Sequence, residues 1–325
     1  MGHKLSYQNN DYTTGDGETV LDCLLREKIE LPHSCKSGVC QSCLMQATEG
    51  EIPENSQEGL KPIFKKQKLF LSCQCVPTGD MKIQDPDEAG ISIKAKLVEK
   101  EALNHNTIKI CFKPDEAFDC EPGQYLTLIN PEHVARSYSI ANNPANDGII
   151  ELHVRVIKDG LMSSWLQNNI SVGDEVSIRG PAGSCFYSCD GDSDYPIVLA
   201  GTGTGLAPLY GIINEALAKG HKGTIRLFHG ALNPEDLYLA EALQELDSKY
   251  DNFTYTACVL NGEEGSFYQT GDIQELVLNN LTDKEKTHLY LCGAPELVNP
   301  LKTNAYISGI AAHNIFSDPF LPSKS

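Results

Sequence analysis

The sequence predicts a multidomain α+β chain, and three observations carry that prediction. Its 325 residues exceed what one compact core serves, so two or three domains are expected. The patterning changes twice, from a cysteine-rich opening to short alternating apolar runs, and then to strands interleaved with helices. Cysteine usage is also uneven: of 12 in the chain, Cys35, Cys40 and Cys43 crowd one loop, Cys73 follows on its own, and most of the rest are scattered singly.

Composition narrows the function classes. Hydrophobic residues make up 41% and charged residues 22%, as in ordinary globular proteins, so wholesale disorder is not expected. No long uninterrupted apolar run is present, so no membrane span is expected. Met1–Asn10 lacks the apolar core of a secretory signal, and a cytoplasmic location is the expectation. Gly2 and Ser6 fit the minimal myristoylation pattern, but without a basic cluster the match reads as chance. A formal charge of −18 argues against nucleic-acid binding. It serves solubility, and it also suits a docking surface for a basic protein partner. The segment through Gly90 is acidic without holding most of that excess.

The first domain is expected over residues 1–84. A strand near Lys4–Gln8, a turn at Gly15–Gly17 and a helix over Thr19–Glu27, capped by Thr19, lead into the cysteines. Cys35, Cys40 and Cys43 spell C-x4-C-x2-C, and Cys73 lies thirty residues further on. This is the plant-type [2Fe–2S] spacing, in which two bridged irons need four thiolates in two pairs. Gly38 lets the loop wrap closely. A zinc site would instead show paired C-x2-C units or matching histidines. His33 reads as a loop residue, and Cys75 competes with Cys73 as the fourth ligand. The stretch from Leu71 to Asp80 resembles the ferredoxin pattern in which the first of two such cysteines binds iron, and the resemblance implies Cys73 as ligand and Cys75 as a buried thiol. Residues 3–84 as a whole resemble a plant-type ferredoxin domain of the β-grasp kind. A polar linker with Pro and Gly is expected over 85–92.

Short alternating runs then follow over 93–190: Thr107–Phe112, Tyr125–Ile129, Ile149–Val156 and Glu175–Arg179. They predict an all-β barrel or sandwich. Arg136-Ser-Tyr138-Ser139-Ile140 is similar to the R-x-Y-S motif of the ferredoxin–NAD(P) reductase superfamily, which implies an antiparallel Greek-key barrel holding a flavin. By that resemblance Arg136 pairs with the flavin pyrophosphate, Tyr138 packs on the isoalloxazine and Ser139 bonds near flavin N5. The strand His153-Val-Arg155-Val156 leads to Gly160-Leu-Met162-Ser163, which resembles a second phosphate-contacting turn with Ser163 on the pyrophosphate. FAD is the expected flavin, and FMN is also compatible.

The last segment, 191–325, opens with the buried-strand pattern Tyr195–Ala200, then Gly201-Thr202-Gly203-Thr204-Gly205-Leu-Ala-Pro208, then a helix over Leu209–Leu217. Strand, glycine turn and helix make a phosphate cradle. Leu206 occupies the third-glycine position of the dinucleotide fingerprint, so that fingerprint is not met. The element resembles G-T-G-x-A-P of the same superfamily, in which Pro208 opens the helix. Cys292-Gly293-Ala-Pro295, after the strand His288–Leu291, resembles the motif whose cysteine lies beside the nicotinamide. Strands Thr224–His229 and Phe253–Val259 with a helical stretch Glu235–Leu246 complete an α/β parallel-sheet domain. Many relatives carry arginine where this chain has Leu232, and Glu235 and Asp236 would repel a 2′-phosphate, so NADH is expected over NADPH. The segment Asn314–Phe320 resembles a terminal segment whose aromatic covers the flavin, with Phe316 and Phe320 as candidates.

The resemblance spans the chain and implies an NAD(P)H-dependent electron-transfer reductase. Electrons would run from NADH through FAD and [2Fe–2S] to a partner protein. That partner would be an oxygenase component, a cytochrome P450 or a deoxysugar dehydratase, reached from a cluster near about −400 mV. Ser139 and Cys292 are the expected catalytic residues. Two competitors are a reductase acting directly on free flavin or a small molecule, and a non-catalytic redox sensor. No domain is left over to hold an organic substrate, and no glycine turn is eroded as a sensor would allow.

Overall fold

The computed structural model describes residues 2–86, 91–189, 191–263 and 267–321. Part of the expected linker, 87–90, lies outside the described residues. The first sheet has the order β2-β1-β5-β3-β4. Its members are β1 (Lys4–Tyr7), β2 (Asn10–Thr13), β3 (Leu44–Glu49), β4 (Leu69–Leu71) and β5 (Met81–Gln84). Leu5 and Tyr7 alternate inward from β1 and meet helix α1 (Val20–Arg26) in a shared core. Thr19 caps α1 as expected, its hydroxyl accepting from Asp22 N–H at 3.1 Å. Only β1 and β5 run parallel, in register Leu5 with Met81, while β3 and β4 pair antiparallel, Leu44 with Leu71, which brings Cys73 to the cysteine loop from a separate segment.

The second sheet is antiparallel throughout, with the order β10-β7-β6-β11-β8-β9. It comprises β6 (Ile93–Ala102), β7 (Thr107–Pro114), β8 (Tyr125–Ile129), β9 (Ala135–Ser139), β10 (Ile150–Arg155) and β11 (Glu175–Ala182). A bridge from Ile140 to Leu152 joins the two edges, closing the sheet on itself. Helix α3 (Leu161–Asn168) plugs one end of the barrel with Met162 and Leu166, and α2 (Pro62–Lys66) lies in the first domain. Lys100 Nζ donates to the carbonyls of Leu166, Gln167 and Ile170 at 3.3, 3.0 and 2.8 Å, closing off the end of α3.

The third sheet is wholly parallel, with the order β15-β14-β13-β12-β16-β17. Its strands are β12 (Ile197–Thr202), β13 (Ile225–Ala231), β14 (Phe253–Val259), β15 (Gln269–Thr270), β16 (His288–Gly293) and β17 (Ile315–Pro319). Helices α4 (Leu206–Ala218) and α5 (Ala240–Lys249) pack on one face, and α6 (Ile273–Asn279) and α7 (Pro295–Ile307) on the other. Burial from both sides is why Ile197–Ala200 is a continuous apolar run. Strand order reverses between β12 and β16, the switch point where open α/β sheets bind ligands.

Two expectations are corrected. The helix after the glycine turn starts at Leu206, so Pro208 sits inside its first turn rather than opening it. Its missing N–H there is one of the unbonded amides at any helix start, so nothing is lost. The stretch from Glu235 is not continuous helix. Pro234–Asp236 is a 3-10 turn, and Leu239 in left-handed geometry (φ 55°) separates it from α5.

Candidate functional site

The cysteine loop folds around Cys35. The N–H groups of Ser37 and Cys40 both donate to Cys35 Sγ at 3.4 Å, and Gly38 turns the chain with φ +81°. The four thiols group as Cys35 with Cys40 and Cys43 with Cys73. Within each pair the contact between thiols lowers the pKa of one member, Cys35 or Cys73, and raises that of the other, Cys40 or Cys43. Two pairs are what a two-iron cluster needs. Ser42, fully buried between Cys40 and Cys43, has a hydroxyl with no hydrogen bond of good geometry, and its polar neighbour is the Cys40 thiol, whose pKa it lowers. A cluster sulfur would satisfy it, and on this observation the residues fit a [2Fe–2S] group. Gln74 Nε2 lies 3.5 Å from Cys73 Sγ. Cys75 points elsewhere: it is fully buried, its Sγ is 4.0 Å from Met81 Sδ, and burial pushes its thiol up to about 12. His33 Nδ1 is bonded to Leu31 O at 2.8 Å in the loop.

The loop rests on the barrel. Strands β8 and β9 pair Tyr125 with Ser139 and Thr127 with Ser137, so the period-two alternation puts four hydroxyls on one face. Tyr125 donates to Val39 O at 2.7 Å, and Ser137 and Thr127 donate to Cys40 O at 2.9 and 3.3 Å. Ser139 instead donates to Asp318 Oδ2 at 3.2 Å. Asp318 lies in register with Cys292 across β16 and β17, and Cys292 Sγ is 3.5 Å from Cys185 Sγ. Burial raises Asp318 to about 6, against the opposing effect of the Ser139 hydrogen bond. Burial and the Cys185 thiol hold Cys292 protonated, well above the ordinary thiol value.

Arg136 spends Nη1 on His33 O at 3.0 Å and Ala135 O at 2.7 Å. Its other guanidinium nitrogens remain as donors for an anion. Tyr138 packs against the barrel core. Ser163 Oγ accepts from Ile157 N–H at 3.1 Å, and a side chain at Gly160 would strike it, its Cβ falling 2.5 Å away. The Ser163 hydroxyl keeps its own hydrogen for an anionic oxygen. Arg136 and Ser163 are not bonded to one another. This donor set, one planar cation and one hydroxyl at a helix start, fits a flavin pyrophosphate.

The other expected contacts differ in kind. His153 is buried with both ring nitrogens engaged, by Tyr238 Oη at 3.2 Å and Glu151 Oε1 at 2.8 Å, so it is a strut between domains rather than a cofactor ligand. Ile140 and Met162 are buried in the barrel core, and the Ile140 backbone is itself engaged, its N–H donating to Gln124 O at 2.7 Å and its carbonyl accepting from Gly123 N–H at 2.9 Å. Arg155 is exposed, with its Nη1 4.0 Å from where a Cβ on Gly203 would stand.

At the switch point Gly201, Thr202 and Gly205 face Cys292 and Gly293, with Gly203 and Thr204 in the turn between them. A Cβ on Gly205 would lie 2.3 Å from Cys292 O, and one on Gly293 would lie 2.7 Å from Thr202 O. Only glycine permits this approach. The Thr202 hydroxyl is buried there without a partner, as a polar cofactor would require. Phe316 stacks on Tyr290 with centroids 4.7 Å apart, which is packing. Phe320 is half-buried and ties its N–H to Gly293 O at 2.8 Å. Asp236 does not face an open site, because its carboxylate accepts from Asn233 N–H and Asn106 Nδ2. That removes it from the argument about the 2′-phosphate. Asp318 and the hydroxyls of Thr127 and Ser137 were not expected at the site from the sequence, and Tyr125 was expected only in a structural role, although the alternations Tyr125-x-Thr127 and Ser137-x-Ser139 in the paired strands carry these hydroxyls.

Three family models match in order: a 2Fe-2S iron-sulfur cluster binding domain over 7–78, an oxidoreductase FAD-binding domain over 94–187 and an oxidoreductase NAD-binding domain over 199–302. The chain is similar to the ferredoxin–NAD(P)(+) reductase component of the naphthalene 1,2-dioxygenase/salicylate 5-hydroxylase systems of Ralstonia sp. (30% identity, 94% of each chain). It is similar also to the phenol hydroxylase P5 protein of Acinetobacter pittii (31% identity, 94% of this chain and 90% of the relative). Among solved structures, a cytochrome P450 reductase from Amycolatopsis superposes with a TM-score of 0.70 at 27% identity, over 98% of this chain and 99% of that one. No helix among the described residues is long and apolar enough to cross a membrane.

Proposed function

The chain belongs to the family of ferredoxin–NAD(P) reductase components of oxygenase systems, and from that premise we propose that it carries electrons from NADH, through FAD and its own [2Fe–2S] cluster, to an oxygenase component in the cytoplasm. One observation carries the reading. The hydroxyl face of β8 and β9 touches the nicotinamide domain at one end, through Ser139 and Asp318, and the cluster loop at the other, through Ser137 and Cys40.

Bound flavin converts the two-electron donor into a one-electron one. The chain's own residues supply placement. Arg136 and Ser163 hold the anionic tail. The Gly201–Gly205 turn and Gly293 admit the nicotinamide nucleotide. Ser139, Asp318 and Cys292 present a hydroxyl, a carboxyl that changes charge near pH 6 and a protonated thiol where the hydride passes. Exposed Leu232, with Glu235 beside it, offers a 2′-phosphate no cation, which supports NADH. The P450 reductase likeness supports an oxygenase-type acceptor.

Anaerobic titration with NADH, read by visible absorbance and electron paramagnetic resonance, tests the relay. Bleaching of flavin and cluster together, with the rhombic signal of one reduced [2Fe–2S] centre, is the expected result. Flavin reduction without a cluster signal, in protein shown to hold intact cluster, would leave only a direct flavin reductase.

A further inference from the structure

We propose that Cys40 is the ligand through which electrons enter the cluster, and that the Ser137 and Thr127 hydroxyls position it by gripping its carbonyl. This rests on the relay proposed above and names the residues that join its last two stations. Three facts point to Cys40. It is only partly buried, whereas Cys35, Cys43 and Cys73 are each buried in the ferredoxin fold. Its carbonyl accepts two hydrogen bonds from the barrel, at 2.9 and 3.3 Å, and the Val39 carbonyl beside it accepts a third from Tyr125 at 2.7 Å. The two donors to Cys40 also stand 3.3 Å apart, so one hydroxyl pair closes on one oxygen.

Their placement in β9 makes this grip specific. Ser137 lies between Arg136 and Tyr138, the two residues expected at the flavin, so a single peptide on either side links the flavin strand to the cluster loop. The strand is held in register with β8 by five residue pairs, and Thr127 opposes Ser137 directly. A carbonyl fixed by two donors cannot swing away without giving up both bonds, and Thr127 is buried, so its hydroxyl is left with Ser137 alone as a partner. The step moves one electron and no atoms: the reduced flavin loses it, and one of the cluster's two ferric irons becomes ferrous. Neither hydroxyl touches the nicotinamide site, so only the second transfer depends on them.

The test is anaerobic stopped-flow mixing of holoprotein with NADH, with rapid-freeze electron paramagnetic resonance to follow the reduced cluster. In the Thr127→Val/Ser137→Ala double variant the cluster signal is expected to rise several-fold more slowly, because electron transfer weakens steeply when the cluster loop shifts away from the barrel. The flavin-bleaching phase and the midpoint potential of the cluster should not change. Cluster reduction at the wild-type rate in the double variant would overturn the proposal. So would a shifted midpoint potential that accounts for the whole change in rate. If the double variant fails to fold, Ser137→Ala alone carries the same comparison, with Ser137→Thr restoring the rate. A wild-type protein whose cluster NADH does not reduce would instead refute the relay, a distinguishable failure.

Discussion

Asp318 is the residue on which the hydride site's pH behaviour turns. Its folded-state carboxyl titrates near 6, above the 3.8 of a free side chain, because burial disfavours the charge. Such a group adds stability fully below the unfolded value and loses it as pH rises through 6. Flavin-free wild type should therefore lose stability relative to Asp318→Asn between about pH 4 and 7. The expected change is about 1–2 kcal/mol given partial exposure, measured by urea unfolding without bound cofactor. A constant difference across that range would refute the assignment. Ser42 supports a second prediction. Its buried hydroxyl, with no hydrogen bond of good geometry in the protein, acts on the Cys40 thiol and is available to cluster sulfur, and donors to such sulfurs favour the more negative, reduced form. Ser42→Ala should move the midpoint potential to more negative values in spectroelectrochemical titration. The cysteine spacing made the ligand loop legible in the sequence because spacing is itself the geometry. Asp318 was not legible, since an acid near a chain end gains meaning only when β17 aligns it with Cys292.

Elements transmit these residue effects. Helix α3 carries Ser163 in its first turn and depends on Lys100, from β6, to satisfy three carbonyls around its other end. Lys100→Met should cost about 1–2 kcal/mol, seen as a lower thermal midpoint, with Lys100→Arg recovering part of it. At the switch point Gly205→Ala should raise the KM for NADH sharply with flavin content unaltered, because its Cβ would press on the Cys292 carbonyl. Normal KM in that variant would mean the turn does not border the nucleotide. Most strands were legible, since periods of two and buried apolar runs survive tertiary packing. The start of α4 was missed because a proline reads as a helix opening, yet it is equally at home anywhere in the first turn. The break before α5 was missed because it depends on Asn233 and Asp236 capping a short turn that the β6–β7 loop then grips through Asn106.

For the whole molecule the relevant quantity is the field of −18 formal charges. The intramolecular contacts that order the relay are mostly hydroxyl-to-carbonyl bonds, which salt screens weakly. Encounter with an acceptor, by contrast, is a long-range event, and its rate follows the summed charge of both partners. The two halves of turnover should thus separate with ionic strength. Reduction of a basic one-electron acceptor such as cytochrome c should slow as salt rises from about 0.01 to 0.5 M, where the screening length falls from about 30 Å to a few ångströms. Reduction of anionic ferricyanide should quicken over the same range, and at saturating NADH, where the charged encounter no longer limits, bleaching of the cluster should stay flat. If cluster bleaching slowed in step with cytochrome c reduction, salt would be acting inside the molecule, on the seat of the cluster loop against the barrel. If neither acceptor responded, the excess charge would lie away from the surface where electrons leave and would serve solubility alone.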